Sequence, residues 1–161
     1  MGAAAQDRLT PAGVSESAVM KAAILVESLT GNTWKAAEML AGRLSQEHWS
    51  ITGLTRMRQP DHAAIQEADV VLIGTWVHGF FVVGQAPWGL STIAALPSMR
   101  HKKAAVFCTF ALDPGKSLDK MTRAASTLGV EVIGGLALNR GKLPEHTEIF
   151  AERLVAAAHS P

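Results

Sequence analysis

The chain has 161 residues, 48% hydrophobic and 18% charged, a balance that excludes a disordered tail and sets one globular domain as the expectation. Its 15 Lys and Arg against 14 Asp and Glu leave a formal charge of +1, without the basic excess that nucleic-acid binding demands. The single cysteine, Cys108, excludes an internal disulfide and a multi-cysteine metal or iron–sulfur site, and it suits a reducing cytoplasm.

Residues 1–19 are small and polar, with Pro11 and Gly13 and no apolar centre. They read as a flexible leader, unlike a secretory signal or transit peptide, ahead of a domain over residues 20–161. From there short apolar runs alternate with amphipathic segments. Ala22 to Val26 is a strand. Trp34, Ala37, Leu40, Ala41 and Leu44 form one stripe of a helix. Trp49 and Ile51 alternate with polar neighbours as in an edge strand, Arg56 to Asp61 closes the unit, and Asp61 to Ala68 is a short helix.

The 30 residues from Val70 to Met99 contain no Asp, Glu, Lys or Arg, long enough in principle for a bilayer span of about 20 apolar residues. Gly74, Gly79, Gly84, Pro87, Gly89 and Pro97 interrupt them, however, and the longest clean apolar runs, Val70 to Ile73 and Phe80 to Val83, have strand length. A spanning helix must satisfy its own backbone, so no membrane segment is expected. Val70 to Gly74 reads instead as a central strand buried on both faces. Pro87 suits the first turn of a helix running to about Leu96, before Pro97. Ala104 to Cys108 is a fourth strand, Leu118, Met121, Ala125 and Leu128 mark the next helix, and Val130 to Ala137 is a fifth strand. Pro144 opens a last helix with Phe150, Leu154 and Ala157 on one face. The pattern predicts an α/β fold, a doubly wound five-stranded parallel sheet of order 2-1-3-4-5 in a three-layer sandwich. Such folds bind ligands beyond the carboxyl ends of the strands.

The segment after the first strand is Glu27-Ser28-Leu29-Thr30-Gly31-Asn32-Thr33, leading directly into the first helix. One helix cap needs one polar side chain; here three hydroxyls and an amide flank a glycine at the positive end of a helix dipole. That chemistry fits a phosphate dianion without a lysine. The run Ser28-Leu29-Thr30-Gly31-Asn32-Thr33 resembles the phosphate-binding loop of flavodoxins, Ser/Thr-x-Thr-Gly-x-Thr, in the position that family requires, and the organisation is similar from Met20 to about His159, as in the short-chain form.

The resemblance implies noncovalent FMN, with its phosphate on Ser28, Leu29, Thr30, Gly31, Asn32 and Thr33. Two further loops would enclose the ring. The first is Thr75-Trp76-Val77-His78-Gly79, where Trp76 would stack on the flavin and Gly79 would offer a peptide carbonyl to its N5 hydrogen. The second is Thr109-Phe110-Ala111-Leu112, where Phe110 stands in for the tyrosine usual in the family; this chain has none. A protonated His78 beside the ring would favour its anionic reduced form.

Competing motifs fail on their spacing. Gly115-Lys116-Ser117 lacks the first glycine of a Walker A loop, since position 110 is Phe110. A receiver domain needs an aspartate ending the third strand, where Gly74 stands. Cys108 has no Cys-x5-Arg partner, because position 114 is Pro114, and reads as a small buried hydrophobe. No paired carboxylates, metal-ligand cluster or nucleophile–base arrangement is evident. The resemblance therefore implies an electron carrier working between redox partner proteins, a reductase and an acceptor. The alternatives are an FMN-dependent NAD(P)H or quinone reductase and a protein-binding module without cofactor. Flavodoxins are usually strongly acidic. This chain instead carries net +5 from Arg100 to Lys142, a candidate docking region for a partner.

Overall fold

The computed structural model describes residues 18–78 and 86–161. The leader expected over residues 1–19 falls almost wholly outside them, as do Gly79 and the Phe80 to Val83 run.

Five parallel strands form the sheet: β1 (Lys21–Val26), β2 (Ser50–Arg56), β3 (Val70–His78), β5 (Lys103–Phe110) and β6 (Glu131–Asn139), in the order β2-β1-β3-β5-β6. Counted as parallel strands alone, this is the expected 2-1-3-4-5 order. A two-residue strand, β4 (Ala86–Pro87), is added to β3 in antiparallel fashion. The helices are α1 (Asn32–Gln46), α2 (His62–Glu67), α3 (Leu90–Ala94), α4 (Ser117–Ser126) and α5 (Leu143–Ala158). Among the described residues no helix is long and apolar enough to cross a membrane.

Alternation within each buried strand builds two cores. Ala22, Ile24 and Val26 of β1, with Val70, Leu72, Ala105 and Phe107, face α1 and α5, where Leu40, Leu44, Phe150 and Leu154 meet them. Ala23 and Leu25, with Val71, Ile73, Val106 and Cys108, face the other helices, where Ile65, Ile93, Met121 and Ala125 are buried. Each such Leu, Ile or Phe contributes about 1.5–3 kcal/mol. Arg43 ties α1 to α5, its Nε donating to Glu148 at 2.8 Å. Asp61 caps α2 by accepting the Ala64 N–H at 3.0 Å.

The local readings shift in four places. The α1 stripe is Thr33, Ala36, Ala37, Leu40 and Leu44, with Trp34 and Ala41 only half-buried at its margin. Thr33 is turned inward by a hydroxyl partner on β5, whereas Trp34 flanks the helix and donates its Nε1–H to Glu38. In α5 the face is carried by Phe150, Ala151, Leu154 and Ala158, with Ala157 half-buried.

β3 does not stop at Gly74. Thr75 and Trp76 remain paired with Cys108 and Thr109, so β5 also runs two residues past Cys108, and Val77 and His78 pair with Pro87 and Ala86. The expected ring loop is thus the upper part of a central strand continued as a hairpin. Pro87 lies in that hairpin and does not open a helix. The N–H following it, of Trp88, donates to the Trp76 carbonyl at 2.8 Å, and Gly89, at φ +74°, begins the shortened α3.

Candidate flavin cleft

β1, β3 and β5 end together, and the loop leaving β1 is organised by its own side chains. Ser28 Oγ accepts the Gly31 N–H at 3.0 Å, and Asn32 Nδ2 donates to Thr30 Oγ1 at 3.2 Å. Gly31 holds φ +93°, a left-handed conformation that glycine adopts without strain, and open space surrounds the position of its missing side chain. Gly31 opens α1 without a side-chain cap, and no acid occupies the first turn. A 15-residue helix therefore presents uncapped N–H groups, and the positive end of its dipole, at the loop. Within the first turn, Thr33 Oγ1 and Thr109 Oγ1 lie 2.7 Å apart in a buried hydroxyl pair joining α1 to β5.

Beside this loop is a cleft of about 270 Å³. Leu29, Thr30, Asn32 and Thr33 form one side; Trp76, Val77 and His78 form the second; Thr109, Phe110 and Ala111 form the third. Three separate stretches of sequence are thus brought around one space. Ser28 and Gly31, with Trp34 and Arg56, line a neighbouring depression that shares Leu29 with the cleft. Leu112 is 71% exposed beyond the rim and does not line the cleft. Thr75 does not reach it either: it is fully buried in β3, and its hydroxyl has no hydrogen-bond partner. Gly79 lies outside the described residues.

Trp76 sits among other rings. Trp88 stacks with it at 6.2 Å between centroids and 21° between planes, and His78 meets it tilted at 5.5 Å. The Arg58 guanidinium lies 4.5 Å from the Trp88 ring centroid. Arg58 is in turn held by Glu27, whose Oε1 accepts its backbone N–H at 3.0 Å and lies 3.7 Å from its Nε.

Sequence reasoning missed Glu27, Arg58 and Trp88, whose roles exist only through tertiary contacts. It also passed over Arg140, which lines the cleft and is the one Lys, Arg, Asp or Glu among its lining residues. Arg140 had a legible signal, since it follows the strand next to β5, and its N–H donates to the Phe110 carbonyl at 2.9 Å.

The basic tract does not form one surface. Lys102 Nζ donates to the Gln66 and Ala68 carbonyls and Lys103 Nζ to those of Ala158 and Ser160, at the end of the sheet where strands begin. Lys116, Arg140 and Lys142 stand at the opposite end, beside the cleft strands' exits.

Burial pushes the Cys108 thiol up to about 12, so it is protonated and inert at neutral pH. Among the described residues no group of three or more His, Cys, Asp or Glu is placed to hold a metal ion.

The sequence matches the flavodoxin domain over residues 23–153. No curated protein matches it. Similar solved structures include a flavodoxin of Streptococcus pneumoniae TIGR4, 23% identical, covering 84% of this chain and 98% of that one with a TM-score of 0.64. The two-electron reduced flavodoxin of Megasphaera elsdenii is 20% identical, covering 86% and 99% with a TM-score of 0.66. The rubredoxin oxygen:oxidoreductase of Desulfovibrio gigas is 18% identical, covering 87% of this chain but 37% of that longer one, with a TM-score of 0.61. With the flavodoxin-domain match spanning most of its length and the cleft lying at the carboxyl ends of the strands, the chain belongs to the flavodoxin family.

Proposed function

We propose that the chain binds FMN in this cleft and carries electrons between a reductase and an acceptor protein. The observation that carries the reading is a shared wall: the loop at the uncapped start of α1 also closes the aromatic cleft. The residues fit the two halves of the cofactor. A phosphate dianion needs several donors and no competing acid, and the Ser28–Thr33 loop supplies hydroxyls, an amide and helical N–H groups with no acid in the first turn. A flat heterocycle needs apolar faces, and Trp76 and Phe110 supply them.

FMN, when bound, supplies one- and two-electron chemistry that side chains lack. The protein's part is to hold and tune it. Thr30, Asn32 and Thr33 orient the phosphate end, while Trp76 and Phe110 exclude water from the ring. Arg140 favours added negative charge in the cleft. On the protein's exterior, Lys116, Arg140 and Lys142 offer a cationic rim to an acidic partner, a narrower docking site than the whole of residues 100–142.

Titration of the apoprotein with FMN, followed by reductive potentiometry, tests the reading. Quenched flavin fluorescence and reversible reduction are expected, and a protein that ignores FMN sinks it. Arg140 also favours a second reading, a reductase that receives an anionic nucleotide. Rapid oxidation of NAD(P)H by the flavoprotein without a partner would establish that reading in place of the carrier.

A further inference from the structure

The indole that walls the cleft is backed by a chain of contacts from three other segments. Trp88 stands opposite Trp76 across the β3–β4 hairpin, and their near-parallel rings are fixed in register by the Trp88 N–H on the Trp76 carbonyl. Arg58 lies over the Trp88 ring. Its backbone N–H and its Nε both address Oε1 of Glu27, which is 6% exposed. A buried carboxylate is costly unless it is hydrogen-bonded, and among the described residues both groups that meet the Glu27 carboxylate belong to Arg58. The residue that follows β1 therefore fixes the segment leaving β2, and the cation of that segment covers the ring beside the continuation of β3.

We propose that Glu27, Arg58 and Trp88 are positioning residues for Trp76, holding its indole in the ring-receiving orientation before any ligand arrives. The proposal rests on the FMN reading for what the wall receives, but the relay is a property of the unliganded chain. Its benefit is preorganisation: an indole already ordered loses less freedom when a flat ligand stacks on it. The contributions are graded. Trp88 makes the ring contact itself, whereas the Arg58 side chain is 64% exposed and its attraction to the ring is correspondingly weaker.

Two readouts test this. The Trp76–Trp88 pair is the only tryptophan–tryptophan ring contact among the described residues, so the apoprotein should give an exciton couplet in far-ultraviolet circular dichroism. Arg58→Ala should diminish it at unchanged thermal midpoint and Arg58→Lys should largely restore it, with Glu27→Gln intermediate. For FMN affinity, about tenfold weakening is expected for Trp88→Ala and about threefold for Arg58→Ala. Both effects should vanish in a Trp76→Ala background. Trp88→Phe keeps a ring in the hairpin and decides the matter if Trp88→Ala does not fold. An undiminished couplet in Arg58→Ala, or affinity losses that persist without Trp76, overturns the relay. If the wild-type chain does not bind FMN, the functional reading fails and the couplet alone decides the relay.

Discussion

The loop from Ser28 to Thr33 and the aromatic wall face the same cleft but are held in opposite ways. In the loop, Ser28 to Gly31 and Thr30 to Asn32 are bonded across two or three residues, and α1 supplies the remaining donors. In the wall, Trp76 depends on Trp88, Arg58 and Glu27, which come from different strands' ends. On the FMN reading proposed above, the loop is a local structure that would set how an anion is gripped, and the wall is a tertiary structure that would set how a ring is aligned. Damage to the loop should stay confined to the anion, while damage to the wall should spread to whatever stacks.

The largest effect is expected where the two regions share support. A Cβ at Gly74 would fall 2.1 Å from the Phe107 ring, and the Gly74 carbonyl accepts the Glu27 N–H at 3.0 Å. Gly74→Ala should cost roughly 3 kcal/mol in chemical denaturation, with both halves of the site weakened; an unchanged midpoint would show that Phe107 yields freely. Next, Gly31→Ala forces a left-handed conformation that costs an L-residue roughly 1–2 kcal/mol. It should weaken FMN binding about tenfold and leave riboflavin, which has no phosphate, unaffected. Trp76→Ala should weaken both ligands alike, and equal losses from the two variants on riboflavin would erase the division between loop and wall.

Thr33→Val leaves the Thr109 hydroxyl buried without its partner, at about 1–3 kcal/mol, and the Thr33→Val/Thr109→Val double variant should recover most of that loss. Failure of the double variant to recover would mean that the hydroxyls serve something other than each other. The effect that vanishes at neutral pH concerns the strand beneath the wall. Folding raises the Cys108 thiol from 9.0 to about 12, so the folded chain keeps a proton that the unfolded chain releases. That contribution is complete below about pH 9 and is lost as pH rises toward about 12, by roughly 1.4 kcal/mol per pH unit at most. Cys108→Ala should flatten stability over that range; an identical pH profile would show that water reaches the thiol.

The sheet order and the polar loop that opens α1 were legible because both are written in contiguous residues. Runs such as Ala22 to Val26 announce strands, and the run Ser28-Leu29-Thr30-Gly31-Asn32-Thr33 announces a polar turn into the first helix. The wall was only half legible. Trp76 could be singled out by its place after the third strand, but its continuation as a strand depends on pairing with Thr109, and the place of Pro87 depends on Val77. Glu27 carried no local mark distinguishing a buried carboxylate from a solvated one. Summing the basic residues over 100–142 as one tract likewise hid its division between opposite ends of the sheet, since Lys102 and Lys103 open a strand whereas Arg140 and Lys142 follow one.

That other end has a practical consequence. Ala18, Met20, Asp69, Lys103 and Ala158 surround one depression where the strands start, and Lys103 Nζ holds the carbonyls of Ala158, the last residue of α5, and of Ser160 just after it. A tether joined beyond Pro161 would leave from the pole opposite the cleft. Immobilised on an electrode by such a tether, the molecule would point its cleft at solution and hold it roughly a sheet's length from the metal. Attachment through a cysteine introduced at Leu112, on the cleft side, should reverse that geometry and favour direct exchange with the surface.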